Sequence, residues 1–163
     1  MLNILIPTYN RKEKIEKNIK LLSEIVKKAN LKGKVEIIVS DNNSLDGTYS
    51  LLKKLKNDLE VDLQIFKQDK NIGLEKNSLF LLKKANKDFV MFLGDDDFLS
   101  QDLLEEIIKL IESKDYDCII PKKVAIDPEG KIIIRKDIKN PEGTFQSGYL
   151  TLKKINYLCH SMA

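Results

Sequence analysis

Four short apolar runs, evenly dealt between stretches of helical spacing, constrain this chain more than any other feature. They are Leu2–Ile6, Val35–Val39, Val61–Phe66 and Phe89–Leu93. Between the first two, apolar residues recur at Ile15, Ile19, Leu22, Ile25, Val26 and Ala29 with Lys and Glu between them, which is helical periodicity. A second helix is expected through Leu51, Leu52 and Leu55. A third runs from about Leu74 to Ala85 with Leu74, Ser78, Leu81, Leu82 and Ala85 on one face. Strands alternating with helices at this rhythm predict βαβ units and an α/β fold, a mostly parallel central sheet with helices on both faces. Phe89–Leu93 is apolar without interruption, which predicts a central strand.

Beyond it, Ser100 is expected to cap a helix with Asp102 in its first turn and Leu103, Leu104, Ile107, Ile108 and Ile111 on its buried stripe. Cys118–Ile120 reads as a fifth strand stopped by Pro121, with Cys118 as a small core residue. Residues 122–127 and 131–136 read as a hairpin turning at Pro128-Glu129-Gly130, and a weak helix is expected near 149–158.

Composition excludes several classes. The chain has 163 residues, suited to one domain. Of its 28 basic residues only Arg11 and Arg135 are arginine, and the lysines alternate with acids on helix faces, so no nucleic-acid footprint is expected. Two cysteines make neither a disulfide framework nor a zinc site, and a cytoplasmic setting follows as the default. No apolar stretch approaches the length of a membrane span, so membrane association is expected to be peripheral, at the inner face.

Ligands of parallel sheets bind at the carboxyl ends of the strands. Three polar loops fall there: Pro7-Thr8-Tyr9-Asn10-Arg11, residues 40–48 including Asp41 and Asn42, and residues 94–99 with Asp95, Asp96 and Asp97. Three adjacent carboxylates repel one another, and a hard divalent cation, magnesium or manganese, relieves that repulsion with open positions left for phosphates. The competing reading is a solvated acidic turn. Neither Gly-x-Gly-x-x-Gly nor Gly-x-x-x-x-Gly-Lys follows the first strand, so a glycine-rich phosphate cradle is excluded.

Ile4-Leu-Ile-Pro-Thr-Tyr-Asn-Arg11, Ile38-Val-Ser-Asp-Asn-Asn-Ser-Leu-Asp-Gly-Thr48, Asn71-Ile-Gly73 with Asn77, and Phe92-Leu-Gly-Asp-Asp-Asp-Phe-Leu99 resemble, in order and spacing, the motifs of glycosyltransferase family 2. The resemblance covers residues 1–120 and implies the nucleotide-diphospho-sugar transferase (GT-A) fold, three layers α/β/α. It is closest to the branch that builds bacterial surface polysaccharides. It implies that Pro7, Thr8, Tyr9, Asn10 and Arg11 border the nucleotide, usually uridine or thymidine diphosphate, and that Asp41 or Asn42 bonds the base. Asn71, Gly73 and Asn77 would lie near ribose and diphosphate. Asp46 and Thr48 would chiefly shape their loop. Asp95, Asp96 and Asp97 match the metal motif. Gly94 stands where the commonest pattern has its first Asp, and Asp96 falls on the central ligand in either alignment.

An inverting transfer to a glycan or lipid-linked acceptor also requires a general base. None of the carboxylates from Asp102 to Glu142 lies in a recognisable catalytic motif. The acceptor-binding part is expected to be short or missing: a truncated form, a naturally short one, or a donor-binding half that pairs with a partner or a second copy through an open sheet edge. A non-enzymatic nucleotide-sugar-binding remnant and a sugar nucleotidyltransferase are the other readings. The latter would want a glycine-rich loop where Pro7–Arg11 stands.

Overall fold

The computed structural model describes residues 1–121, 125–126 and 132–133. The chain divides into two units, Met1–Tyr116 and Asp117–Ala163. The first contains β1 (Leu2–Thr8), α1 (Lys12–Lys28), β2 (Val35–Asp41), α2 (Thr48–Asp58), β3 (Leu63–Lys67), α3 (Leu74–Lys84), β4 (Phe89–Phe92) and α4 (Gln101–Ser113). Its four strands form one parallel sheet in the order β3-β2-β1-β4. In the second unit β5 (Ala125–Ile126) pairs antiparallel with β6 (Ile132–Ile133), at the expected hairpin. The helix expected near 149–158 lies outside the described residues.

The central strands are β1 and β2, and their sequences show why. Leu2, Ile4, Leu5, Ile6, Ile37, Ile38 and Val39 are almost wholly buried, so both faces of the sheet are covered there. Leu5 and Ile38, side by side in register, pack under Leu81 of α3. By strand alternation Ile4, Ile6, Ile37 and Val39 point to the opposite face. The buried stripe of α1, Ile15, Ile19, Leu22 and Val26, follows the predicted spacing, and α1 packs on α2. Ser100 caps α4 as expected, accepting from the Leu103 amide at 3.2 Å. The stripe of α4 is Leu104, Ile107, Ile108 and Ile111, and Lys34 Nζ, 2.6 Å from Glu112 Oε1, ties the helix to the start of β2.

Three expectations are corrected. β4 is not central: among the described residues it is an edge strand, with Val90 and Phe92 41% and 47% exposed. An uninterrupted apolar run records hydrophobicity on both faces, but it does not record whether a neighbour covers them. Cys118–Ile120 is not a strand, and Cys118 is exposed rather than in the core. Three apolar residues before a proline are too few to hold a ladder. In α3, Leu74 and Leu82 are exposed, while Asn77 and Leu81 are the buried residues. The helix is turned toward Asn77 because that side chain finds hydrogen-bond partners inside the domain.

Candidate donor site

Because the sheet is parallel, β1, β2 and β4 end on one edge, and Thr8 lies in register with Asp41. The three polar loops therefore meet, as the spacing predicts. Thr8 is buried, and its hydroxyl donates to Asp95 Oδ2 at 2.8 Å. Arg11 Nη1 and Lys14 Nζ donate to the same oxygen of Asp96, Oδ2, at 3.1 and 2.9 Å. Asn18, one turn further along α1, donates through Nδ2 to the carbonyls of Gly94 and Asp97 at 3.0 and 2.8 Å. The acidic loop is thus held from one side by the start of α1.

Within that loop Asp97 folds back on its own turn, its Oδ2 accepting from the Gly94 amide at 3.2 Å. A Cβ at position 94 would sit 2.7 Å from this oxygen, so a side chain there would turn the Asp97 carboxylate off the Gly94 amide. The three acids are therefore not equivalent. Asp97 closes the turn, Asp95 is half-buried against Thr8, and Asp96 faces solvent between two cations.

Their proton affinities diverge accordingly. Burial pushes the Asp95 pKa up, against the Thr8 hydroxyl and the charge of Arg11, and nearby Asp96 adds to the rise. Asp96 moves the other way: the hydrogen bond from Lys14, then the charges of Lys14 and Arg11, hold it below the usual carboxylate range despite some burial. A raised folded-state pKa means that the folded protein binds the proton more tightly, so stability declines as pH rises through that pKa. At neutral pH the ionised Asp95 is a cost, and Asp95→Asn is expected to raise the Tm modestly. The gain should shrink as pH falls through the ordinary carboxylate range, as thermal unfolding followed against pH would show.

The 40–48 loop is organised from within. Asp41 is fully buried and accepts from the amide and hydroxyl of Ser44. Ser44 Oγ in turn accepts from the Asn10 amide at 2.8 Å, and Asn10 Oδ1 accepts from the Leu45 amide at 2.9 Å. Asn10 itself adopts the left-handed conformation, φ 52°, that asparagine tolerates. Asp46 accepts from Thr48 and, at 3.0 Å, from the Lys12 amide, so it shapes its loop as expected and supplies the acceptor that α1 lacks at its own start.

Asn42 is buried and clamps the next turn. Its Nδ2 donates to Asn71 Oδ1 and its Oδ1 accepts from the Ile72 amide, both at 2.9 Å. Gly73, at φ 84° and ψ 160°, occupies a backbone region open essentially to glycine, and leads into α3. Asn77 is 1% exposed. It accepts from Ser40 Oγ at 2.6 Å and from Gln68 Nε2 at 3.4 Å, and donates to the Ser40 carbonyl at 3.0 Å. Every polar atom of that side chain is committed to protein.

Tyr9 and Asn10 remain exposed at the rim, and Pro7 is half-buried. Lys14, Asn18 and Ser44 were not singled out by sequence. Only Asn18 carried a signal, a polar residue that shares the mainly apolar stripe of α1 with Ser23.

No group of three or more His, Cys, Asp or Glu that could hold a metal converges among the described residues. Of the three acids expected at a metal, Asp97 is turned to the Gly94 amide, which leaves Asp95 and Asp96 as the two adjacent carboxylates that could take one. That suits magnesium or manganese, which take one or two carboxylates and complete their shell with water and substrate phosphates, and does not suit an all-protein cage.

The sequence profile of Glycosyl transferase family 2 matches residues 3–163, and the chain belongs to that family. It is similar to the abequosyltransferase RfbV of Salmonella typhimurium, 32% identical over 114 residues, which is 70% of this chain and 33% of that protein. The solved structure of S. aureus TarS in complex with UDP superposes with TM-score 0.56 at 28% identity, over 69% of this chain and 32% of that one. A mannosyltransferase from Pyrobaculum calidifontis, in complex with GDP-Man and Mn2+, gives TM-score 0.58 at 22% identity, over 66% of this chain and 31% of that one. The fold is the GT-A fold of these glycosyltransferases. The chain spans about a third of the length of these relatives.

Proposed function

We infer that this chain carries the donor half of a glycosyltransferase, taking a sugar from a uridine or thymidine diphosphate donor. The observation that carries the reading is the hydrogen-bonded set Thr8–Asp95 and Arg11–Asp96 at the carboxyl edge of β1 and β4. The Asp41 and Asn42 loop ends beside it. A solved structure of similar fold holds UDP and another holds a nucleotide sugar with Mn2+, which supports the same ligand class here.

In this reading the base and ribose lie against Thr8–Tyr9 and the 41–42 loop. Because Asp41 and Asn42 are occupied by Ser44 and Asn71, they act chiefly by holding backbone and ring-facing surfaces in place. Asp95 and Asp96 would hold magnesium or manganese. When bound, the metal neutralises charge developing on the leaving diphosphate. Arg11 adds a second positive charge on the same side. An inverting transfer needs a base from the acceptor side, and the acceptor is a glycan or lipid-linked saccharide of a bacterial surface polysaccharide. The donor-binding part is residues 1–120, working in the cytoplasm at the inner membrane face. No described helix is long and apolar enough to cross a membrane.

Calorimetry of UDP and dTDP with and without Mn2+ tests the donor site. Saturable binding that Mn2+ strengthens is the expected result, and binding indifferent to metal would remove the metal from the reading. Slow hydrolysis of UDP-sugars without acceptor separates a transferase from a binding remnant, which would bind and not turn over.

A further inference from the structure

Lys14 and Asn18 stand one turn apart on one face of α1, and Arg11 stands at its N-cap. All three reach the 94–97 loop: Arg11 and Lys14 through Asp96, Asn18 through the Gly94 and Asp97 carbonyls. Two cations on one carboxylate oxygen exceed what that carboxylate needs for neutrality. Asp97 does not share them, because its Oδ2 is turned to the Gly94 amide. The side chains of Lys14 and Asp96 are each about half exposed, at 51% and 49%. Among the described residues the ammonium is held in the rim by Asp96 alone, and its exposure leaves it within reach of a ligand.

Resting on the donor-site reading above, we propose that Lys14 is a diphosphate-binding residue that serves as the counter-cation of Asp96 until the donor arrives. A divalent ion and the Lys14 ammonium compete for the same carboxylate oxygen. When metal and nucleoside diphosphate enter together, Asp96 turns to the metal and the ammonium passes to a phosphate oxygen. Lys14 thus opposes metal without nucleotide and favours nucleotide with metal. The site resists filling with metal alone, and the two ligands become coupled through one side chain. Coupling of this kind is reciprocal: whatever Lys14 does to metal affinity when nucleotide binds, it does equally to nucleotide affinity when metal binds.

The test is a pair of titrations on the full chain, Mn2+ alone followed by electron paramagnetic resonance, and UDP at saturating Mn2+ followed by calorimetry. Wild type, Lys14→Met, Lys14→Arg and Lys20→Met are compared, Lys20 being an exposed residue of the same helix paired with Glu16. In Lys14→Met the affinity for free Mn2+ is expected to rise several-fold while that for UDP falls about tenfold or more, the scale of a charged hydrogen bond. Lys14→Arg should restore most of both, and Lys20→Met should resemble wild type. UMP, with one phosphate, should lose less than UDP.

Weakening of both ligands together, with a lowered Tm, would make Lys14 a structural prop and overturn the proposal. So would an unchanged Lys14→Met beside a wild type that binds UDP. A wild type that binds no nucleoside diphosphate would overturn the donor-site reading and this proposal with it.

Discussion

Asp96→Asn is expected to abolish metal-dependent donor binding and to lower any transfer or donor hydrolysis by on the order of 10²–10³-fold. Asp96 is the solvent-facing acid of the triplet and the one whose carboxylate is already gathered by cations, Arg11 at 3.1 Å and Lys14 at 2.9 Å. Asp97 is turned back to the Gly94 amide, and Asp95 is half-buried under Thr8, so neither replaces it readily. The isosteric amide keeps shape and removes charge. It also leaves Arg11 and Lys14 without an anionic partner, so metal-free UDP binding should rise while the Mn2+ increment disappears. Calorimetry with and without Mn2+ reads both effects at once. Retention of the full Mn2+ increment in Asp96→Asn would sink the assignment.

The second large effect is on stability. Asn77→Ala removes the acceptor of Ser40 Oγ and the donor to the Ser40 carbonyl from a site 1% exposed. Buried polar groups that lose a partner cost about 1–3 kcal/mol each, and here the Ser40 hydroxyl loses its acceptor while its oxygen still accepts from Gln68 Nε2 at 3.1 Å. A loss of about 2–3 kcal/mol in urea unfolding is expected, with UDP affinity of the folded variant little changed. The family resemblance implied a place near ribose and diphosphate for Asn77. A variant as stable as wild type with collapsed UDP affinity would show that the side chain meets ligand. The hydrogen bonds favour the other role, a pin that seats α3 on β2 and so aims the 71–73 turn.

Asn77 also shows where sequence reading reaches its limit. The apolar pattern of α3 offers Leu74 and Leu82 to the core as plausibly as Leu81, and only the partners waiting at Ser40 and Gln68 choose the helix rotation. β4 makes the same point for a strand. Phe89–Phe92 is apolar throughout and lies at the edge among the described residues, because strand order depends on which neighbours pair, and pairing is not written in the run itself. Lys14 is one of many lysines, and its spacing from Arg11 is unremarkable until α1 is laid beside the acidic loop.

By itself the sequence determined the first four strands and the helices between them, their parallel sense and the edge on which the three polar loops gather. Those follow from local periodicity and from the geometry of βαβ connections, which every segment carries in its own pattern. It also marked Thr8, Arg11, Asp41, Asn42 and the Asp95–Asp97 triplet as one group. The tertiary structure alone decided what each polar atom does. Thr8 takes Asp95, Ser44 takes Asp41, Asn71 takes Asn42, and Arg11 with Lys14 takes Asp96. A hydrogen bond between residues far apart in the chain depends on packing to a fraction of an ångström, and that precision is a property of the assembled core.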